Sequence, residues 1–259
     1  MIWQKTILIS SFIFFISTIQ NQEIKIKNID GLDVDQFGSI FITVGDKLTR
    51  YDKDLKEIAS YSQPLLGDIT KVDASNALNP VLWFGETYRI NILDNRLNES
   101  RTINLLDQGF RDPKLISVSD DGNIWIYDQS EDKIIRFSTE SNKRTNNSLN
   151  ISQILGEEND PIQIRSTFEK TYLNVPEKGI LIFDAVGAFE KLVALKGIEY
   201  FSLYNSKIYY QKENTIYKLD KQGKSEIICK DLTDCKTFDI FDNKIFLVNN
   251  SRVEIRAIN

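Results

Sequence analysis

Residues 116–138 read ISVSDDGNIWIYDQSEDKIIRFS. Ile116–Ser119 alternates apolar and polar side chains and runs into Asp120-Asp121-Gly122-Asn123, residue types that favour a tight turn. Asn123–Tyr127 (NIWIY) follows, rich in the β-branched and aromatic residues of a half-buried strand. A second polar turn leads to Lys133–Ser138 (KIIRFS). Strand, turn, strand, turn, strand over so short a stretch predicts an antiparallel meander.

The same plan recurs on either side. Second strands align at Ser39–Val44, Val81–Gly85, Asn123–Tyr127, Thr171–Val175, Lys207–Gln211 and Lys244–Val248, with starts 42, 42, 48, 36 and 37 residues apart. That period matches one blade of a β-propeller, about 40–45 residues. Third strands follow at Lys47–Asp52, Tyr88–Asp94, Lys133–Ser138, Gly179–Asp184, Thr215–Asp220 and Arg252–Ile258. Outer strands are expected at Glu57–Tyr61, Arg101–Leu105, Lys191–Leu195 and Ser225–Cys229, and for the third unit within Ser148–Leu155. The sixth unit stops after three strands, and Glu23–Lys27 (EIKIK) alternates well enough to supply the fourth. The expectation is an all-β, six-bladed propeller whose last blade is closed by the N-terminal strand. Closure would remove the free strand edges that invite aggregation. Seven blades, or five with a loose hairpin, are the alternatives.

Residues 1–22 predict a signal peptide, ahead of one propeller domain over 23–259. Lys5 precedes Thr6–Ile19 (TILISSFIFFISTI), an apolar run too short for a comfortable membrane span and suited to an export signal. An uncleaved interfacial anchor is the alternative. The expected location is the periplasm or the periplasmic face of an outer membrane, with no membrane span after cleavage. Cys229 and Cys235, the only cysteines, would then meet an oxidising compartment, and a structural disulfide between them is expected, with two free or buried thiols as the alternative.

Composition narrows the chemistry. The 259-residue chain has a formal charge of −5, with Lys and Arg scattered, which excludes the basic stripe a nucleic-acid binder needs. It contains no histidine, which rules out Ser-His-Asp and Cys-His catalysis and removes the commonest metal ligand. No cofactor is expected.

Two groups of residues remain as site candidates. The innermost strands would line the channel with Asp33, Lys71, Ser117, Gln163, Arg165, Ser202 and Asp239, a set of mixed sign in which Lys71 and Arg165 can neutralise the aspartates. The connections between blades carry Tyr61, Leu65 and Leu66, then Leu106, Phe110 and Arg111, which no strand pattern buries. Apolar side chains rimmed by charge are what a protein-docking surface uses. A local lid folded over the face is the equal alternative. Trp83, Phe84, Trp125, Tyr127, Tyr209 and Tyr210 read as core between blades.

Val118–Phe137 resembles the NHL-like six-bladed propeller repeat, with weaker copies at Val34–Asp52 and Leu203–Asp220. The resemblance implies a fold and not an activity. The leader and the Ile/Asn/Lys-rich propeller together are similar to secreted envelope proteins of Bacteroidota, among them the plug subunit of the type IX secretion translocon. That likeness implies a non-enzymatic subunit docked on an envelope or outer-membrane complex. The alternative is a calcium-dependent lactonase-like or small-ligand-binding propeller with an oxygen-rich site around Asp33, Asp35 and Asp239.

Overall fold

Six four-stranded antiparallel sheets are present in the computed structural model, which describes residues 22–220 and 222–258. The expected signal peptide lies almost wholly outside the described residues. Blade 1 is Gly31–Val34, Ile40–Val44, Lys47–Tyr51 and Glu57–Ser62; blade 2 is Lys71–Asp73, Val81–Phe84, Arg89–Leu93 and Glu99–Asn104. Blade 3 is Pro113–Val118, Ile124–Asp128, Lys133–Ser138 and Lys143–Asn147; blade 4 is Gln163–Ser166, Lys170–Val175, Gly179–Asp184 and Phe189–Val193. Blade 5 is Tyr200–Tyr204, Lys207–Lys212, Thr215–Leu219 and Ser225–Cys229. Blade 6 is Thr237–Phe241, Lys244–Val248 and Arg252–Ala257, completed by Gln22–Lys25. In that closure Ile24 faces Val253 and Glu23 faces Glu254.

Each sheet is apolar on both faces of its inner strands, so each must bury both faces against its neighbours. Six hydrophobic clusters result, one per blade interface: Trp83 and Phe137 sit in the cluster between blades 2 and 3, Trp125 and Phe183 between blades 3 and 4. Ile24 joins Leu32, Ile42 and Val253 between blades 6 and 1, so the N-terminal strand contributes core as well as hydrogen bonds.

The recurring Asp at the end of the third strand has a physical role. Asp52 Oδ1 accepts the N–H groups of Asp54 and Lys56, both at 2.9 Å, and Asp94 does the same for Arg96 and Asn98 at 2.8 Å. Asp184 and Asp220 repeat the pattern. The carboxylate satisfies the turn's free donors and so sets the step into the outer strand. In blades 1 to 5 the register also shifts by one residue where the third strand meets the outer one, a bulge that adds local twist.

One strand differs from expectation. The outer strand of blade 3 is Lys143–Asn147, and within the expected 148–155 stretch the chain forms a short helix, Ile151–Leu155. Lys143–Asn147 (KRTNN) is almost wholly exposed, so it shows no alternation to read; Ile151 is buried between blades 3 and 4.

Candidate functional site

The innermost strands all run in one sense along the channel. The blade connections therefore lie on the face where these strands begin, and the hairpins to the second strands lie on the other face. Each face opens into a mouth of the channel. Arg165 lines both and forms the partition.

The mouth at the strand ends, about 490 Å³, is acidic. Asp33, Asp35, Asp73, Asp120 and Asp239 line it against Arg165 alone. Asp33, Asp73, Ser117, Ser202 and Asp239 occupy equivalent positions of their blades, and most of them hold the next blade. Asp239 Oδ2 accepts the Val34 N–H of blade 1 (3.0 Å), Asp33 Oδ2 that of Ala74 in blade 2 (2.6 Å), and Asp73 Oδ2 that of Val118 in blade 3 (2.9 Å). Ser117 Oγ accepts from Ser166 N–H in blade 4 (2.9 Å), and the Ser202 hydroxyl of blade 5 donates to Asp239 Oδ1. Blade 4 presents Arg165 at this position. Arg165 cannot accept, and instead it donates to Asp33 Oδ1 (2.9 Å) and to the Tyr200 hydroxyl. Asp35 and Asp120 are also engaged, by the N–H groups of Phe37 and Ser39 and by that of Phe168.

This ring contains strongly perturbed ionisable groups. Burial pushes the Asp33 carboxyl up to about 7, although Arg165 opposes the shift. Burial also acts to raise Asp73, but Lys71, Arg165 and the hydrogen bonds from Ser75 and Val118 outweigh it and hold that carboxyl below its usual range. Burial lowers Lys71 to about 8. The oxygens proposed for calcium are thus mostly engaged by N–H groups, a hydroxyl and Arg165; Asp35 Oδ2 has no hydrogen bond among the described residues and faces Arg50 at 3.5 Å. Among the described residues no group of three or more His, Cys, Asp and Glu is placed to hold a metal ion.

The mouth at the strand starts, about 310 Å³, is basic. Lys71, Lys114, Lys236 and Arg165 line it against Asp30 and Glu199. Lys71 Nζ donates to the carbonyl oxygens of Ile116 (2.6 Å) and Ile164 (3.1 Å), with Asp73 at 3.7 Å. Lys236 Nζ donates to the Ile29 carbonyl at 3.2 Å. The two carboxylates turn to backbone instead: Asp30 accepts from Gly45 N–H and Glu199 from Glu213 N–H.

The candidate docking residues lie on the same face as the basic mouth, and the structure separates them. Leu65 is 90% exposed, Leu106 is 45% exposed, and the Arg111 side chain lies in solvent. Leu66 is half-buried against the core of blades 1 and 2. Tyr61 is also half-buried: its hydroxyl donates to Glu99 Oε2 (2.6 Å) and accepts from Asn91 Nδ2 (2.8 Å), and burial pushes it up to about 12. Phe110 is a correction. It is core, packed edge-on to Phe137 at 6.1 Å and covered by Arg144. The 3-10 turn Leu106–Gln108 and left-handed Gly109 (φ 82°) reverse the chain and drive Phe110 inward. The disulfide is a second correction: Cys229 and Cys235 are free thiols, both packed against the core of blades 5 and 6. Burial raises the Cys235 thiol to about 11, which makes it a poor nucleophile.

Sequence reasoning missed the placement of two residues in the channel. Asp73 stands in register with Asp33 and Asp239, each followed by an apolar residue, and that alignment was the available signal. Trp83 is core as expected, but it also lines the basic mouth.

No protein-family model matches the chain, and no curated protein matches its sequence. Solved structures do match in fold. Virginiamycin B lyase from Staphylococcus aureus is 14% identical with a TM-score of 0.59, over 89% of this chain and 80% of that one. A catalytically inactive variant of that lyase, with a histidine replaced by alanine and quinupristin present, gives 15% and 0.60 over 89% and 80%. The Cps50 (Swd1) β-propeller domain of Myceliophteria thermophila gives 8% and 0.63, over 92% and 100%. These likenesses establish a β-propeller, shared by an enzyme and by WD40-type proteins.

Proposed function

We propose that this propeller is a non-enzymatic docking subunit that binds a protein partner through the face carrying its blade connections. One observation carries this reading: three successive connections hold apolar side chains out to solvent. Leu65 lies between blades 1 and 2, Leu106 between blades 2 and 3, and Leu149, 68% exposed, between blades 3 and 4. Each such side chain costs free energy while exposed, and a partner that covers the arc recovers it. The finer parts of the proposal are export, an outer-membrane partner and a plug-like role in a protein-secretion translocon. They rest on the apolar leader and on the likeness to envelope propellers.

Lyase chemistry of the kind a histidine exchange abolishes in the S. aureus enzyme has no counterpart here, because the chain has no histidine. The test is capture of partners by tagged protein from gently solubilised envelopes. Leu65→Asp with Leu106→Asp should abolish recovery of a stoichiometric partner at unchanged melting temperature. Undiminished recovery would refute the assignment of this face.

A further inference from the structure

The basic mouth has the makings of a ligand site that is independent of docking. Leu115, Ile162 and the Tyr200 ring supply apolar surface; Leu32, Val72, Ile116 and Ile164 also line the mouth, their side chains buried in the cores between blades. The mouth also holds donors with no acceptor. Trp83, which lines the mouth, is 1% exposed, and its Nε1–H has no hydrogen-bond partner among the described residues. A buried N–H without an acceptor is a cost that native proteins seldom leave standing. Arg165, which lines both mouths, likewise has an Nε–H without a partner among the described residues. The space by the indole is held open by Gly85: a methyl group there would stand 3.4 Å from Trp83 Nε1 and 2.9 Å from Thr70 Oγ1.

Charge selects what enters. Arg165 is paired with Asp33, Lys114 with Asp160, and Lys71 is held by two carbonyls and Asp73. Lys236 has a carbonyl contact and no ion-pair carboxylate among the described residues. One uncompensated cation in a mouth that also holds unmet N–H donors and apolar surface fits a single negative charge on an apolar body. The volume lies at the lower end of small-molecule sites, roughly 300–1,000 Å³, so the body is small.

We propose that the mouth at the starts of the innermost strands binds a small organic monoanion. Its carboxylate is held by Trp83 Nε1–H and Lys236, and its hydrocarbon part lies against Leu115, Ile162 and Tyr200. A dianion would lack a second free cation, and a neutral or cationic analogue would leave the donors unmet.

Isothermal titration calorimetry of the folded protein with hexanoate, phenylacetate, hexan-1-ol, hexylamine, adipate and inorganic phosphate tests this. Saturable one-to-one binding is expected for hexanoate or phenylacetate, with the other four at least tenfold weaker. Trp83→Phe keeps the ring's apolar bulk and removes the donor, and it should weaken binding about tenfold. Lys236→Gln should do the same at an unchanged melting temperature, and the loss should shrink as salt is raised. Equal binding of hexan-1-ol or hexylamine, equal binding of phosphate, or wild-type affinity in both variants would each overturn the proposal. So would no heat and no melting-temperature shift with either monocarboxylate at millimolar concentration.

Discussion

The two mouths of one channel are built from the same six strands and have opposite chemistry. At the strand ends the carboxylates are consumed: Asp239, Asp33 and Asp73 each hold the next blade's backbone N–H. At the strand starts Lys71 and Lys236 rest on backbone carbonyls, and the nearby carboxylates face elsewhere. A rich set of charged side chains is therefore no guide to a site until its hydrogen bonds are followed. The two mouths carry equal numbers of charged side chains, but those of the acidic mouth are spent on holding blades together, whereas the basic mouth keeps donors free.

That contrast can be broken most severely at Asp73. Asp73→Ala would leave Lys71 buried with carbonyl partners alone and orphan the Val118 N–H. Urea unfolding should show a loss of about 3–5 kcal/mol, and a loss under 1 kcal/mol would mean the ring does not hold the blades. The pH dependence of Asp33 comes next. Its native carboxyl titrates at about 7, whereas an unfolded aspartate titrates near ~4. The native state binds the extra proton between these values, so this group's contribution is full at the acid end and is lost as pH rises towards 7. Asp73, held low, acts below that window, and Lys71, lowered to about 8, acts above it. Asp33→Asn should thus gain on wild type by on the order of 2 kcal/mol between pH 4.5 and about 7.5. Parallel stability curves would show that Asp33 stays ionised throughout.

Changes at the rims should be smaller in stability and larger in binding. Lys236→Gln should unfold within about 0.5 kcal/mol of wild type. A drop of several kcal/mol would make the basic mouth structural as well. For docking, the matched control is Phe37→Asp with Phe168→Asp, which alters apolar side chains 66% and 63% exposed on the hairpins of the acidic face. Partner capture should survive that pair and fail with Leu65→Asp and Leu106→Asp; the reverse result would move the docking surface to the other face.

Much of the fold was legible because a blade buries its inner strands on both faces, and the period of apolar strands records that demand directly. Closure was legible for the same reason: Glu23–Lys27 alternates because Ile24 must reach the core between blades 6 and 1. Polar outer strands leave no such trace, so apolar patterning points away from Lys143–Asn147 and towards the residues that form the helix Ile151–Leu155. The site was legible only in part. That Lys71 and Arg165 would offset the channel aspartates followed from composition, whereas which acceptor each donor meets depends on neighbours from other blades. Phe110 shows the same limit, since a residue in a connection is buried or exposed by where the turn sends it. The free indole N–H of Trp83 is invisible in a strand that reads as core.

The asymmetry of the two mouths can be tested in one experiment: amide chemical-shift mapping of the isotope-labelled protein titrated with hexanoate. Saturable shifts should gather at Gly31, Lys71, Lys236 and the Trp83 indole N–H, with Val34, Ala74 and Val118 unmoved. Shifts centred on those last three amides, at the acidic mouth, would contradict it.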